Sequence, residues 1–500
     1  MSGLFGSLNI GVRGMTAAQT ALQTTSHNLS SMNTTGYSRQ RVNLEANNPY
    51  TCHGVGQLGT GVRISGVVRI ADDYVTKQIQ KENASLTRHA TKSEVLGQLE
   101  TIFNEPSDTG LSAGFGRFYS AWNYLGANPE LATAKTMVSQ ESQTLTDTVS
   151  QMASQLESLQ GDTIHSIEKD VLDFNEKVDQ LATLNKQIFN VVIKGQSPND
   201  LLDQRDVLTT ELASIADLEI TYDKFQGVSL KLDKVSILEG DTINKLAVIS
   251  DRTVDGELAI STGSGKPIIQ TGDFAIGQIV IADQKGSYQP LTLSNGSIKG
   301  SQEALEIVEA KKTELNQLVG NFAQAVNTIH SDGSKGLNFF EFSSDEPAKT
   351  IKVNKELTSS PIKINAGKDI AHPVSGDGSR ATALSSLANA KLNYFTQDFN
   401  ATYKSDSIEF EAQVGGSSTG DAYKGIVTSM GIMKQQSDNV VASQSVVVGF
   451  LQDRQAAISG VNMNEEVIDM MRFQSAFEAN ARIISVIDGM LDTLINRTGV

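Results

Sequence analysis

The chain has 500 residues, with 57 acidic against 41 basic side chains and a formal net charge of −16. This acidic balance argues against nucleic acid or an anionic membrane as a main partner. The sequence also lacks an apolar run of the roughly 18 residues that a membrane span needs. A single cysteine, Cys52, excludes an intramolecular disulfide framework and a thiolate metal cluster.

The first residues of the chain predict an amphipathic helix. Apolar side chains recur at seven-residue spacing, and small residues such as Ala18 and Ala21 stand beside them; the row is Leu8, Met15, Leu22 and Leu29. A helix cannot bury such a row alone, so we expect it to pack against another element. Residues 1–44 contain three Arg and no acidic residue, a formal charge of +3.

A long helical bundle is expected next, over residues 41–217 and 301–460. No proline lies between Pro129 and Pro198, and the apolar residues there follow alternating three- and four-residue steps. The pattern slips by one residue at Gly161, which predicts either a skip or kink in one long rod or a tight break between two helices. Helical patterns also cover about 70–104, 301–330 and 421–458, with a mixed β segment near 337–378.

Residues 218–300 change character and predict an inserted β domain. They contain ten glycines and strand-like alternation at Val228, Leu230 and Leu232. The fold class is therefore mainly α with a β insert. The order of the elements favours an elongated, hairpin-like molecule whose β module is the part farthest from the chain ends.

The closing stretch predicts a second amphipathic helix, with its apolar row at Met470, Phe477, Ile484 and Leu491. Residues 461–500 carry six acids and three Arg, a formal charge of −3. Oppositely charged amphipathic ends favour pairing as a coiled coil, within one molecule or between neighbours. Residues 1–40 and 461–500 would then form one terminal domain. Two ordinary core helices are the alternative.

Three glycine-containing motifs lack the context that a chemical site needs. "GVGQLG" at 54–59 precedes a strand-like stretch rather than a helix, and "GSGK" at 263–266 is followed by Pro267 where a phosphate loop needs Ser or Thr. "GSSTG" at 416–420 resembles a nucleophile elbow, but no histidine follows Ser418, since the last is His372. We therefore expect no enzyme, no cofactor and no metal site. Activity in the β insert remains a remote alternative.

The two ends carry a resemblance to a known family. "HNLSSMNTTGYSRQRV", residues 27–42, resembles the signature shared by bacterial flagellar rod, hook and hook-associated proteins, and its "SRQRV" resembles the hook-associated protein 1 family within that group. "NEEVIDMMRFQSAFEANARIISVIDGMLDTLIN", residues 464–496, resembles the same family's C-terminus. Ser31 and Phe477 depart from the common asparagine and tyrosine.

The resemblance implies a structural protein that joins hook to filament as a thin ring. It implies a terminal coiled coil lining a tube, a helical domain outside it and an outward β domain. The implied partners are like subunits, the hook protein, the next hook-associated protein toward the filament, and an export chaperone on the C-terminal helix. The protein would be extracellular, in the flagellum, exported through the type III apparatus without a cleaved signal peptide. Another axial component, a hook or rod protein, is the alternative.

These patterns together predict one set of residues for subunit packing and assembly. The polar members of the set are expected to fix the register of the helices. The set is Leu8, Met15, Leu22, Asn28, Leu29, Asn33, Gly36, Tyr37, Met470, Gln474, Phe477, Asn480, Ile484 and Leu491.

Overall fold

Long α-helices make up most of the chain, whose computed structural model describes residues 3–52, 54, 56–253, 255–263, 265–282 and 288–497. The α-helices, in chain order, are α1 (Leu4–Ser31), α2 (Asp73–Phe103), α3 (Leu111–Ala127), α4 (Ala132–Val192), α5 (Asn199–Ile215), α6 (Ser297–His330), α7 (Pro347–Thr350), α8 (Lys355–Ser359), α9 (Ser379–Ser386), α10 (Thr419–Ser459) and α11 (Met463–Asp492). Among the described residues, no helix is both long and apolar enough to cross a membrane.

Short strands fill the intervals between the helices. They are β1 (Gln40–Ala46), β2 (Tyr50–Cys52), β3 (Gly56–Leu58), β4 (Val62–Arg69), β5 (Glu219–Tyr222), β6 (Val228–Leu232), β7 (Val235–Glu239), β8 (Thr242–Ile243), β9 (Leu246–Arg252), β10 (Leu258–Ser261), β11 (Ile268–Gln270), β12 (Ile279–Ala282), β13 (Tyr288–Pro290), β14 (Phe340–Glu341), β15 (Lys352–Val353), β16 (Tyr403–Lys404) and β17 (Glu409–Phe410).

The strands pair as antiparallel sheets. β1 pairs with β4 from Gln40↔Arg69 to Ala46↔Val62, and β2 pairs with β3; these four strands are called here the ribbon. The β insert contains a four-stranded sheet, ordered β5-β6-β7-β8, and a five-stranded sheet, ordered β11-β10-β9-β12-β13. β14 and β15 supply the strands expected near 337–378.

Helix α4 is a single rod of 61 residues, about 90 Å long at 1.5 Å per residue. It runs through Gly161, where a Cβ would meet no atom within 4 Å. The one-residue slip in the apolar pattern is therefore a change of the face that is buried, and the helix does not break. The first half of α4 faces one hydrophobic core and the second half faces another.

The larger core, which we call the distal core, joins the end of α2, α3, the first half of α4, α6 from Ala304 onward, α9 and the start of α10. Its centre is aromatic: Phe118 lies between Trp122, Phe322 and Phe340, with ring centroids 5.3 to 6.2 Å apart. Edge-to-face and offset pairs of this kind add to the free energy gained by burying the rings.

The β insert shares the second core with α4. Its strands bury Leu230, Val248 and Ile279 against apolar side chains on the second half of that helix; these are Ile167, Val171, Phe174, Val178 and Leu181. The insert is therefore packed along the rod and does not hang from it on a flexible linker.

The position of the insert corrects the expectation that it lies farthest from the chain ends. Arg205 on α5 donates to Gln226 O at 3.0 Å and lies 4.5 Å from the Tyr222 ring, both in the first hairpin of the insert. Two residues earlier on α5, Asp203 accepts from Ser38 N at 2.9 Å, at the root of α1. The distal core is instead the remote part, because it holds the start of α10, a helix of 41 residues whose other end meets the chain near Arg39.

Candidate assembly site

The two terminal helices, α1 and α11, pack along each other and are called here the arm pair. The buried face of α1 consists of small residues: Gly11, Ala17, Ala18, Ala21, Thr24, Thr25 and Asn28. A Cβ on Gly14 would lie 2.5 Å from Asn480 Oδ1, and one on Gly11 would lie 3.1 Å from Ile484 Cγ1. The absence of side chains at these glycines lets the two backbones approach closely.

The aliphatic row on α1 lies beside this seam. Leu8, Met15, Leu22 and Leu29 are all half-buried, one position from the row of Gly14, Ala21 and Asn28. On α11, Met470, Phe477 and Leu491 are also half-buried, while Ile484 of the same row lies over Gly11 in the contact itself. The aliphatic side chains therefore flank a contact that small residues make.

Asn28 is the centre of the polar end of the arm pair, where α1 stops. Its Nδ2 donates to Gln40 O at 2.9 Å and to Glu466 Oε2 at 3.0 Å. Its Oδ1 accepts from Gln40 N at 2.9 Å and from Tyr37 OH at 2.8 Å. The amide thus uses both donors and both lone pairs while only 2% of the residue is exposed.

Arg39 supplies the charge that neutralises the start of α11. Its guanidinium lies 3.0 Å from Glu465, 2.6 Å from Glu466 and 3.6 Å from Asp469. Glu466 is 1% exposed, so its charge needs this partner. The Arg39 amide donates to Ser459 O at 2.8 Å. One residue therefore connects the ribbon, the end of α10 and the start of α11.

The chain around Ser38, just before the ribbon, is held to the rest of the molecule by α5. Asp203 accepts from Ser38 N at 2.9 Å and from Arg69 at 3.0 Å, and Arg69 lies 2.7 Å from Asp206. Burial raises the pKa of Asp203, although the hydrogen bonds from Ser38 and Arg69 act to lower it. Burial and the nearby carboxylates, Asp200 first among them, raise the pKa of Tyr37 above its ordinary value, so its hydroxyl remains a donor. We call Asn28, Tyr37, Arg39, Gln40, Asp203, Glu465 and Glu466 the arm base.

The other predicted residues, which are not part of the apolar rows, differ in whether they lie at the contact between α1 and α11. Gly36 has a φ of +77°, and a Cβ there would collide with Val207, so the position needs glycine. Asn480 lies in the seam against Gly14, with its Nδ2 donating to Ala476 O at 2.8 Å. Asn33 and Gln474 are exposed. The structure therefore brings Asn28, Tyr37 and Asn480 to the contact but leaves Asn33 and Gln474 outside it.

The sequence patterns missed Arg39, Gln40 and Asp203 as members of the arm base. Arg39 and Gln40 lie inside "YSRQRV", part of the stretch that carries the family resemblance, and Glu466 stands beside Glu465. A signal was available, since an arginine near one end of the chain and paired acids near the other suggest an ion pair. Asp203 gives no comparable signal, because only the fold brings α5 to this place.

One side of the arm pair exposes large apolar side chains. On α11 they are Ile468, Met471, Ile483, Val486 and Met490, and on α1 they are Phe5 and Val12. The residues on α11 share one face of the helix by their spacing, and a group of exposed large apolar side chains of this kind marks an interaction site. The contact between α1 and α11 therefore covers one face of the arm pair, and another face remains exposed to solvent.

The three glycine-containing motifs have local structural roles. Ser418 is the N-cap of α10: its Oγ accepts from Asp421 N at 3.1 Å and donates to Asp421 Oδ2 at 2.8 Å. The motif at 54–59 contains β3 and precedes β4, and the segment after Lys266 continues into β11; residues 55 and 264 lie outside the described part. Within the described residues, no group of three or more His, Cys, Asp or Glu is placed to hold a metal ion.

Family models match three parts of the chain. The flagellar hook-associated protein FlgK helical domain matches residues 96–340. The flagella basal body rod protein model matches residues 8–37, and the flagellar basal body rod FlgEFG protein C-terminal model matches residues 455–497. The two terminal matches include most of α1 and all of α11. The central match runs from the last part of α2 to the start of β14.

Full-length relatives carry one common name. The chain is 28% identical over 524 residues to flagellar hook-associated protein 1 of Bacillus subtilis, covering 100% of this chain and 99% of that protein. It is 26% identical over 569 residues to flagellar hook-associated protein 1 of Salmonella typhimurium, covering 98% and 99%.

A solved structure agrees in fold. The flagellar hook junction protein FlgK from Burkholderia pseudomallei superposes with a TM-score of 0.57 at 14% identity, covering 76% of this chain and 100% of that chain. The terminal signatures, the helical body with its β insert and the full-length relatives all point to one group. Along its whole length, the chain is therefore similar to the flagellar hook-associated protein 1 family.

Proposed function

We propose that this protein forms the junction between the hook and the filament of a bacterial flagellum, as a ring of like subunits built on the arm pair. The observation that carries the proposal is the two-sided arm pair. One face is closed by the contact of α1 with α11, and the other exposes a run of large apolar side chains.

The exposed face supplies the free energy for assembly. Burying a large apolar side chain contributes about 1.5 to 3 kcal/mol, and α11 alone exposes Ile468, Met471, Ile483, Val486 and Met490. A lone subunit cannot cover this surface, whereas a ring of arms can cover it repeatedly. Assembly through the arms therefore needs no bound cofactor.

The arm base gives the arms a defined direction relative to the body. Asn28, Arg39 and Glu466 join α1, the ribbon and α11 at one point, and Ser38 joins that point to α5. Polar contacts of this kind are directional. A subunit in a junction has to hold its arms at one angle, and this network is suited to that task.

The role is structural rather than catalytic. Ser418, which lies in the nucleophile-like motif, caps a helix, and the terminal helices account for the conspicuous exposed surface. The relatives named flagellar hook-associated protein 1 align along the whole chain, which favours the junction over the hook or rod alternatives.

The remaining partners follow from the same surface. The hook protein would lie on one side of the ring and the next hook-associated protein on the other. Before assembly, the exposed face of α11 would need a cover, which supports an export chaperone bound to this helix. Export through the type III apparatus without a cleaved signal peptide completes the proposal.

Electron microscopy of a deletion strain tests the junction role. We expect hooks of normal length without filaments, with full-length protein from a plasmid restoring the filaments. A strain that lacks hooks altogether would indicate a rod component. Filaments attached normally in the deletion strain would overturn the proposal.

A further inference from the structure

We propose that the first hairpin of the β insert, β5–β6, positions the root of the arm pair through four buried charged side chains, with Arg205 as the positioning residue. The four are called the charge network: Asp203, Arg205 and Asp206 on α5, and Arg69 at the end of β4. The inference goes beyond the junction role, because it concerns the folded chain itself and can be tested on an isolated subunit.

The insert end of the network is a fixed turn. Gln226, between β5 and β6, has a φ of +67°, and its carbonyl accepts from Arg205 Nη1 at 3.0 Å. Asp223 holds this turn, since its Oδ1 accepts from two backbone amides of the turn at 2.7 and 2.8 Å. The Arg205 guanidinium also lies 4.5 Å from the centroid of the Tyr222 ring. The hairpin therefore sets the position of this guanidinium, by a hydrogen bond and a cation–π contact.

Each carboxylate of the network joins two partners, one with each oxygen. Asp206 Oδ1 accepts from Arg205 Nη2 at 2.7 Å, and Asp206 Oδ2 lies 2.7 Å from Arg69 Nη1. Asp203 Oδ1 accepts from Arg69 Nη1 at 3.0 Å, and Asp203 Oδ2 accepts from Ser38 N at 2.9 Å. The contacts therefore run without interruption from the turn of the insert to the backbone amide of Ser38, at the root of α1.

Burial makes the network sensitive to the displacement of any member. The four side chains are 4 to 16% exposed, and two guanidinium groups balance two carboxylates. If the hairpin no longer holds the Arg205 guanidinium, Asp206 depends on Arg69, which then has to neutralise two buried carboxylates. Asp203 would hold the amide of Ser38 less firmly as a result.

Solvent-exposed charges flank the two ends of the network. Asp73 and Lys77 of α2 approach Tyr222 with opposite charges. At the other end, Asp200 approaches Tyr37 and lies 3.3 Å from His27. Water and salt screen exposed charges of this kind, so they do not replace a missing buried partner.

Three consecutive backbone amides report how firmly the arm root is held. Ser38 N donates to the charge network, Arg39 N donates to Ser459 O at 2.8 Å, and Gln40 N donates to Asn28 Oδ1 at 2.9 Å. Such protons exchange with solvent when these contacts open. Hydrogen exchange at residues 38–40 is therefore a direct measure of the inferred positioning.

Hydrogen exchange of the isolated full-length chain tests the inference. Replacing residues 223–227 by Asn-Gly, a turn that antiparallel strands accept, removes the Gln226 carbonyl and changes no residue of α5. We expect exchange at residues 38–40 to accelerate about ten-fold, within the usual range of coupling between sites, with exchange in α3 unchanged. The replacement also removes the Phe225 ring, whose centroid lies 5.1 Å from that of Phe189. Phe225→Ala is therefore the matched control and should exchange as the parent does.

A second set of variants separates the network from general loosening. Tyr222→Ala removes the ring beside Arg205, and Asp203→Asn removes the charge that pairs with Arg69 while keeping the shape of the side chain. We expect each to accelerate exchange at residues 38–40. Tyr222→Ala should add little in the Asp203→Asn background, because both changes lie on one path. Tyr222→Phe keeps the ring and should match the parent.

Four outcomes overturn the inference. The first is unchanged exchange at residues 38–40 after the turn replacement. The second is an equal acceleration in Phe225→Ala, which would assign the effect to the ring contact with Phe189. The third is an equal acceleration in α3, which would indicate a general loss of stability. The fourth is additivity of Tyr222→Ala and Asp203→Asn, which would mean that the hairpin acts by another path. The deletion phenotype still reports on the junction role separately.

Discussion

The side-chain amide of Asn28 donates to the carboxylate of Glu466 at 3.0 Å, although the two residues are 438 positions apart. Both are almost completely buried. Since the Asn28 amide also satisfies the backbone of Gln40 on both its N–H and its C=O, this one side chain connects the last turn of α1 with the ribbon and with α11.

Replacing Asn28 with Asp tests this connection. The substitution places a second carboxylate beside the buried Glu466 and removes a donor, so we expect a loss of about 3 to 5 kcal/mol in the free energy of arm docking. Hydrogen exchange of α1 should accelerate while that of the distal core is unchanged. Gln23→Asp, an exposed position on the same helix, is the control. Equal exchange in Asn28→Asp and the parent would show that the bond has no part in docking.

The glycines of α1 allow a matched comparison. A Cβ on Gly14 would collide with Asn480, whereas a Cβ on Gly6 would meet no atom within 4 Å. We expect Gly14→Val to push the arms apart at a cost of about 1 to 3 kcal/mol, with filaments shed under mild shear. Gly6→Val is the same substitution in the first turn of the same helix, without the collision, and should retain filaments. Similar shedding in both variants would implicate propensity instead of contact.

Phe477 tests the flanking row on α11. It is half-buried, so Phe477→Asp places a charge where apolar surface is covered. We expect the distal core to melt as in the parent and filaments to be lost. Phe477→Tyr keeps the ring and should be nearly silent, provided that equal amounts of both variants are recovered from the medium. Parent-like shear resistance in Phe477→Asp would mean that this position does not face a packed surface.

Acid should destabilise the distal core through His330. Burial lowers the pKa of this histidine to about 4, with Arg380 nearby contributing. The neutral ring donates from Nδ1 to Leu337 O at 2.8 Å and accepts at Nε2 from Asn365 N at 3.2 Å. Because the folded-state pKa lies below the unfolded value of about 6.5, this contribution is complete above about pH 6.5 and is lost as the pH falls toward 4.

Urea unfolding between pH 7 and pH 4 measures the effect. We expect the parent to lose roughly 3 kcal/mol more than His330→Gln over this interval; comparing the two isolates the histidine from the carboxylates. His165→Gln, which changes an exposed histidine, should follow the parent. Identical pH dependence in the parent and His330→Gln would place the acid sensitivity elsewhere.

The helices were predictable because they are long and periodic, whereas the seam between the arms was only partly so. Heptad spacing gives weight to large apolar side chains and therefore favours Leu8, Met15 and Leu22. The closest approach is made by Gly11 and Gly14, which contribute almost nothing to an apolar pattern. Ile484 was predictable because it belongs to the apolar row of α11, and Asn480 because it is a polar residue inside that amphipathic stretch. Their side chains fill the space over Gly11 and Gly14.

The location of the β insert was not predictable from the order of the elements. Sequence order shows that the insert interrupts the bundle, but it does not show along which part of α4 the strands pack. The apolar residues from Ile167 to Leu181 resemble an ordinary helix–helix face, and their contacts are strands. Arg205, which ties the first hairpin to α5, acts through a carbonyl and an aromatic ring, and neither partner has a sequence signature.

The continuity of α4 has a mechanical consequence. Since one unbroken helix belongs to both hydrophobic cores, the two halves of the body cannot hinge against each other by rearranging a loop there. A bending load between them must strain consecutive backbone hydrogen bonds of the helix itself. The body of the subunit should therefore respond to torque as a stiff beam.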